Sequence, residues 1–483
     1  MKKLCVIVML ALLGCLAAAC KVPDKAIENL NVSFYDMQIK IADDLDRVDL
    51  QAKISIYNNS ADDWDSVKFN LYANAYRKDA PYKAYVKELI KYGGIEVISI
   101  KSDGEPLEWE LMQNLTTLEV ELPSSLKAGE RVDVDIEAII DIPISDLRLG
   151  LYDKTLNLGN FYPILAVYEN GEFRTDNFTR KGDPFYSEAA DYNVRIISAK
   201  NLVIAASADD YSETVGEGYK VTNISAKKLR DFALCASYNF KEIQGLVGDT
   251  LVRYYYTGAN APESLLEITM GAFSLFSEKI GAYPYKSYSV AEVPFAYGGM
   301  EYSGLVYINK NALDKADIIV HETAHQWFGT VVGSDAINHS WLDEALVTFL
   351  AEYYYPLKLK GDYNDAKQAN TKAFEAFVKM QRLNQPNYSL NMTQSLYSFA
   401  TNHEYMMLIY VRGGLMFENI YSLLGEKGFI GALKDYFEAN KYQNAAPEQL
   451  FAAFKKNRKD IQPIVNSWLN DKVITTLAFN SLN

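Results

Sequence analysis

Histidine and cysteine are both scarce in this sequence, four of each in 483 residues. Three of the cysteines, Cys5, Cys15 and Cys20, fall within the first twenty positions, which leaves Cys235 alone in the rest of the chain. A single thiol cannot close an internal disulfide, so the fold has to rest on its hydrophobic cores. Cys235 sits in the apolar run Phe232-Ala233-Leu234-Cys235-Ala236, which predicts a packing role and not a reactive one. Positive charge is in deficit too: 48 Lys and Arg against 62 Asp and Glu give a net charge of −14. Such a chain has no electrostatic footprint for nucleic acid and is repelled by anionic lipid. Beyond the N-terminus no apolar run is long enough for a transmembrane helix, and neither a fixed-period repeat nor a low-complexity linker is present.

The N-terminus itself is a targeting pattern. Lys2 and Lys3 precede an apolar run from Leu4 to Leu16, then Ala17-Ala18-Ala19 and Cys20. Residues 1–19 are expected to be a cleaved signal peptide. Small residues before a cysteine resemble the lipobox of bacterial lipoproteins, and Cys20 is the lipidation site expected here. Cleavage there leaves a polar tether over 20–28. Leu12-Leu13-Gly14-Cys15 fits the same pattern, which keeps Cys15 as the competing site, and an ordinary secretory signal is the alternative. The expected location is extracytoplasmic, with membrane contact only through a lipid anchor on the bacterial cell membrane.

With 49% hydrophobic residues, the length suits two or three domains. From 29 to 243 apolar and polar residues alternate in short stretches, such as Val48-Asp49-Leu50-Gln51-Ala52-Lys53-Ile54, with turns at Asn58-Asn59, Asp103-Gly104 and Asn170-Gly171. That pattern predicts an all-β domain of half-buried sheets. The character changes near Gln244, and 244–483 is expected to be an α+β domain. Helices are predicted over Pro262–Gly281, Leu313–Phe328, Trp341–Leu359 and His403–Leu424, with another opening at Pro447; strands are predicted at Tyr288–Val293 and Leu305–Ile308.

Two of the four histidines stand in Val320-His321-Glu322-Thr323-Ala324-His325-Gln326-Trp327. On a helix, positions i and i+4 share a face, so His321 and His325 can hold one metal ion, with zinc bonds of about 2.0–2.1 Å. Glu322 lies one position round, placed to hold a water instead of ligating. A catalytic zinc also needs a third protein ligand and an open position. Glu344 follows His325 after the 18 residues Gln326–Asp343, enough for a turn and a return on the next helix. Asp343 competes with it, but neighbouring helical residues point about 100° apart, so only one of the two faces the metal. Two histidines and a glutamate with bound water form a hydrolytic set, the water's pKa being drawn down to about 7.

HETAHQWFG with the Glu of Trp341-Leu342-Asp343-Glu344-Ala345 resembles the gluzincin aminopeptidases, the family of aminopeptidase N and leukotriene hydrolase. The family's G-x-M-E-N signature corresponds to Gly298-Gly299-Met300-Glu301-Tyr302, and its Tyr-x-Lys-Gly context to Tyr410-Val411-Arg412-Gly413, 66 positions after Glu344. The likeness runs from Gly159-Asn160-Phe161-Tyr162-Pro163 to Trp468; upstream only the β pattern is shared. It implies an N-terminal all-β domain followed by a thermolysin-like α+β zinc peptidase domain. It implies one Zn2+ per chain on His321, His325 and Glu344, with Glu322 as general base and Tyr410 donating to the oxyanion. Glu301 would bind the α-amine of a peptide with a free N-terminus, and Gly298, Gly299 and Met300 would complete that substrate-binding stretch. The family's N-terminal domain also gives a Gln to the amine pocket, for which the sequence assigns no counterpart.

The activity implied is that of a zinc aminopeptidase. The alternatives are a thermolysin-like endopeptidase and a non-catalytic surface lipoprotein on the same fold. The sequence departs from the family at Tyr302 for Asn, Ala345 for Gly, Thr330 for Asn and Arg412 for Lys, none of them a ligand or the base. Tyr302 bears on substrate register and the first specificity pocket. His339 and His403 are expected at the surface or at helix caps, although His403, two turns before Tyr410, could line the cleft. Many relatives carry a large C-terminal helical domain over the cleft; this chain ends soon after Trp468-Leu469, so a more open cleft is expected.

Overall fold

The computed structural model describes residues 31–470 except 208–209, 215 and 458–459. The signal peptide, the tether and both candidate lipidation sites lie outside the described residues.

The alternating half forms three main sheets. The largest has eight strands, in the spatial order Asp210–Thr214, Tyr219–Leu229, Ala190–Ala199, Phe34–Ile41, Arg47–Tyr57, Arg131–Asp141, Gly94–Ser102 and Glu105–Pro106. Neighbours are antiparallel except for Phe34–Ile41 beside Ala190–Ala199. Period-two patterning sets the register: Val48, Leu50, Ala52 and Ile54 point into the core while Gln51 and Lys53 face out. A slip by one residue would put those polar side chains inside.

The second domain opens on a five-stranded sheet ordered Lys241–Val247, Thr250–Tyr256, Ser287–Val293, Leu305–Asn309, Gly299–Tyr302. The change of character expected at Gln244 therefore falls inside its first strand. That strand alternates like those before it, so periodicity alone could not separate them. The helix Glu263–Lys279 joins two parallel strands, as such a crossover requires. Ser287–Val293 is buried at every position, because both faces of the sheet are covered. One face carries the helices. The other meets the β domain in a shared core that includes Ala205, Ala233, Cys235, Tyr302 and Tyr307, with the Tyr307 hydroxyl donating to the Leu234 carbonyl at 2.6 Å. Cys235 is thus packed at the domain junction, and burial pushes its thiol well up.

The helices behind the sheet hold the site. Lys315–His325 forms the first, shorter than the predicted Leu313–Phe328. Helical backbone then runs through Trp341–Lys360 and through Asn402–Asn440, the latter turning at Gly425 (φ 65°) where Leu424 was the expected end. Among the described residues no helix is long and apolar enough to cross a membrane.

Candidate metal centre and substrate cleft

The helix Lys315–His325 carries His321 and His325 on one face, their Nε2 atoms 3.2 Å apart. Its far end is fixed by several bonds. The Thr330 hydroxyl donates to the carbonyls of His325 (3.1 Å) and Gln326 (3.0 Å), and the Trp327 indole N–H donates to Gly281 at 2.8 Å. Thr330, the departure from the family's Asn, is thus a cap for orphan carbonyls at the helix end. Gly329 has φ 117°, and a Cβ there would lie 2.9 Å from His325 Nδ1. His325 Nδ1 lies 3.0 Å from the Phe328 carbonyl. A carbonyl only accepts, so the ring proton sits on Nδ1 and the Nε2 lone pair faces the cleft.

Glu344 and Tyr410 both occupy π-helical turns, Trp341–Ala345 and Met406–Arg412, a distortion that recurs at functional sites. Glu344 Oε2 stands 3.3 Å from each histidine Nε2. Its Oε1 accepts the Tyr410 hydroxyl at 2.6 Å. Asp343 faces elsewhere, accepting from Ser334 at 3.0 Å and from the Glu344 N–H at 2.8 Å. The competition between the two carboxylates is resolved in favour of Glu344.

Two imidazole nitrogens and a carboxylate oxygen converge here. Tetrahedral bonds of about 2.05 Å to one zinc ion would separate any two ligand atoms by about 3.3 Å. The observed edges of 3.2, 3.3 and 3.3 Å match. These residues therefore fit zinc. Burial alone would raise the Glu344 carboxyl, but His325 and His321 hold it well below its usual range.

Glu322 is buried beside this triangle, its Oε2 without a partner. Burial first, then neighbouring Glu301, push its carboxyl well above the usual value. Gly299 packs directly on Glu322, and a Cβ at that position would collide with the carboxylate.

Glu301 projects from the edge strand Gly299–Tyr302 and is pushed up to about 8, by burial first and then by Asp183. Sequence reasoning missed Asp183. It belongs to the β domain and lines the cleft, where no family Gln had been assigned. Gly182 before it has φ 54° and no room for a Cβ, with Leu396 and Tyr405 at 2.8 Å. Lys181 bonds the carbonyls of Tyr397 (3.0 Å) and Phe399, tying this segment to the helical side. Buried Arg148 ion-pairs with Asp183, donates to Met300 Sδ at 3.2 Å, and lies between the rings of Phe185 and Tyr297, 5.2 Å from each. The only local signal was Gly182-Asp183-Pro184, a common turn sequence.

Tyr302 faces away from the cleft. It is fully buried in the domain junction, 5.1 Å from Tyr307, where Gly159 leaves space for its hydroxyl. Its carbonyl accepts from Gln326 at 3.2 Å. Arg412 is also remote from the chemistry: it is buried, bonds the Leu390 carbonyl at 2.6 Å and lies over Trp468. His403 packs edge-on against Phe377 at 5.6 Å, and neither it nor His339 is among the residues lining the cleft.

The cleft has a volume of about 930 Å3 and takes in Asp183, Glu301, Glu322, His321, His325, Glu344 and Tyr410. Asp183, Glu301, Glu322 and Glu344 all line it, and of the two guanidiniums that do so, Arg148 is already paired with Asp183. The charge they lack is that of a metal dication and a substrate cation.

An H-E-x-x-H helix, a glutamate on the following helix and an α+β sheet beneath define a gluzincin metallopeptidase scaffold. Residues 265–468 match the Peptidase family M1 domain. The chain is 24% identical over 368 residues to Aminopeptidase 2, mitochondrial, of Saccharomyces cerevisiae, covering 71% of this chain and 38% of that one. It is 24% identical over 408 residues to Aminopeptidase N of Lactobacillus helveticus, covering 79% and 47%. It thus spans about half the length of these curated relatives, or less. The crystal structure of an M1 zinc metallopeptidase from Deinococcus radiodurans shares the fold, with a TM-score of 0.64, 17% identity and coverage of 92% of this chain and 94% of that one. A mutant of that enzyme bound to a Tyr-Ser-Ala substrate superposes with a TM-score of 0.65 at 17% identity, over 92% and 94% of the two chains. On that match residues 265–468 form a Peptidase family M1 domain.

Proposed function

We propose that the protein is a zinc-dependent aminopeptidase that removes N-terminal residues from peptides. The observation that carries this reading is Glu301, a carboxylate at the end of the same cleft as the His321–His325–Glu344 triangle. A metal triangle alone serves any peptide hydrolase; an acidic stop beside it recognises an ammonium and penalises chains that continue past it.

Zinc on His321, His325 and Glu344 would polarise the scissile carbonyl and make a water acidic enough to attack. Glu322 takes the proton of that water at its unpartnered Oε2 and passes it to the leaving amine. Tyr410 turns its hydroxyl from Glu344 to the oxyanion, a short rotation from its present bond. Glu301 and Asp183 hold the ammonium, and Arg148 keeps Asp183 from swinging away. Gly299 lets the substrate backbone come close to Glu322.

A panel of aminoacyl fluorogenic amides, with and without chelator, tests the reading. Hydrolysis should vanish with the metal and return with added zinc. Equal cleavage of N-acetylated peptides would instead favour the endopeptidase, and absence of any zinc-dependent turnover the non-catalytic lipoprotein.

We propose further that the mature chain begins at Cys20 and is lipid-anchored outside the cell membrane; the support is the charged, apolar and small-residue order of residues 1–20. Cys20→Ala should release the protein from the membrane fraction. Retention there, or release by Cys15→Ala instead, would reject Cys20.

A further inference from the structure

Within this aminopeptidase reading, the walls of the cleft assign a direction to the substrate. The strand Gly299–Tyr302 is the last of its sheet, so one edge is unpaired. It runs along the helix Lys315–His325 in the same sense: Gly298 lies over Ile318, where a Cβ would meet Cδ1 at 3.4 Å, and Gly299 lies over Glu322. Glu301 stands at the far end, within the field of His325. A peptide whose ammonium sits at Glu301 must therefore run back past Gly298, toward the first turn of that helix.

At that end the cleft is walled by carboxylates from two sides. Asp314 and Asp317 come from the helix start, Glu352 from the helical stretch Trp341–Lys360 and Asp365 from the helix Asn364–Asn384. Arg148 and Arg180 are the only cations lining the cleft among the described residues, and both come from the β domain beside Asp183, at the opposite end. The nearby lysines turn away: Lys315 pairs with Glu292 at 2.9 Å and Lys367 with Glu418 at 2.8 Å. Glu352 is exposed and accepts from Asn370 at 2.6 Å. Small side chains, Ala351, Ala366 and Ala369, leave room between the walls for an aliphatic stem. Buried Glu322, with its unpartnered Oε2, lines the same cavity.

We infer that the half of the cleft beyond the cleaved bond selects peptides whose second residue is lysine or arginine, with Asp317 and Glu352 as the specificity-determining pair. The methylene stem lies against the alanines and the charged head reaches the carboxylates. The pair leaves the first residue's pocket untouched, so selection acts on the leaving peptide and not on the residue released.

The test uses the zinc-loaded protein and three peptides, Leu-Arg-Ala, Leu-Ala-Ala and Leu-Glu-Ala. The expected order of kcat/KM is Arg over Ala over Glu, with Arg favoured over Ala about tenfold at low salt and less at high salt. In the double variant Asp317→Asn with Glu352→Gln the Arg/Ala ratio should fall to within about twofold. Binding of the same peptides to zinc-loaded Glu322→Gln by calorimetry reads the preference without turnover. A ratio unchanged in the double variant, or no preference by either readout, overturns the inference while zinc-dependent release of leucine still stands. If N-acetylated Leu-Arg-Ala is cut as well as the free peptide, the aminopeptidase reading itself fails.

Discussion

The metal triangle and the pocket proposed for the ammonium share one cleft, yet they are built in opposite ways. His321, His325 and Glu344 come from one short stretch, and their geometry follows from helical period and a single turn. The proposed pocket draws Arg148 and Asp183 from the β domain and Glu301 from a sheet edge in the second domain. Locally encoded chemistry survives as a motif, whereas a pocket assembled across a domain junction depends on docking. The triangle should therefore fail completely when touched, and the pocket by degrees.

The sharpest break is Glu322→Gln. It removes the proton carrier but leaves every metal ligand, so kcat should fall by roughly 10²–10⁴-fold with zinc content unchanged by metal analysis. Loss of zinc together with activity would show that Glu322 is a ligand. Glu344→Gln, by contrast, should lose zinc and activity together.

Next in size is Glu301→Gln. Removing the charged stop should lower kcat/KM on aminoacyl amides by about 10²-fold, a charge-assisted contact worth roughly 1.5–3 kcal/mol. The selectivity for free over acetylated N-termini should shrink in parallel. If that selectivity survives intact, the ammonium is read elsewhere.

Arg148→Met should act more gently, since it frees Asp183 without removing it. KM should rise about 3–10-fold at nearly constant kcat, a loss of positioning worth roughly 1 kcal/mol. A parallel fall in kcat would tie Arg148 to the chemistry, against the division drawn here.

The legibility of the sequence follows the same line. Period-two alternation predicted the buried face of strands such as Arg47–Tyr57, and the i, i+4 spacing put the two histidines on one helix face. Glu344 came from spacing, but only its side-chain bonds separated it from Asp343. Asp183 was invisible because its role rests on Gly182, Lys181 and Arg148, with partners as far away as Met300 and Phe399. The boundary at Gln244 was misplaced for a related reason: Lys241–Val247 keeps the pattern of the sheets it follows while pairing with the sheet it begins. Sequence period reports the neighbours along the chain, not the partner across the sheet.

Tyr302 is where the two building modes meet, one residue past Glu301 and on the other side of its strand. Alternation sends Glu301 into the cleft and Tyr302 into the domain junction, so the change from the family's Asn alters packing beneath the site and not the site itself. Its hydroxyl is buried without a partner, which carries a desolvation cost. Tyr302→Phe should therefore leave kcat/KM on aminoacyl amides within about twofold and raise stability by up to about 1 kcal/mol, read as a higher melting temperature. Tyr302→Asn restores the family residue but empties a ring-sized space next to Tyr307 and Gly159. It should cost about 3–5 kcal/mol of stability, as other buried aromatic truncations do. Activity measured on the folded fraction should still track Glu301. A change of first-residue preference in Tyr302→Phe would mean that the junction sets the pocket's shape, and that the separation of triangle from pocket is less complete than their geometry implies.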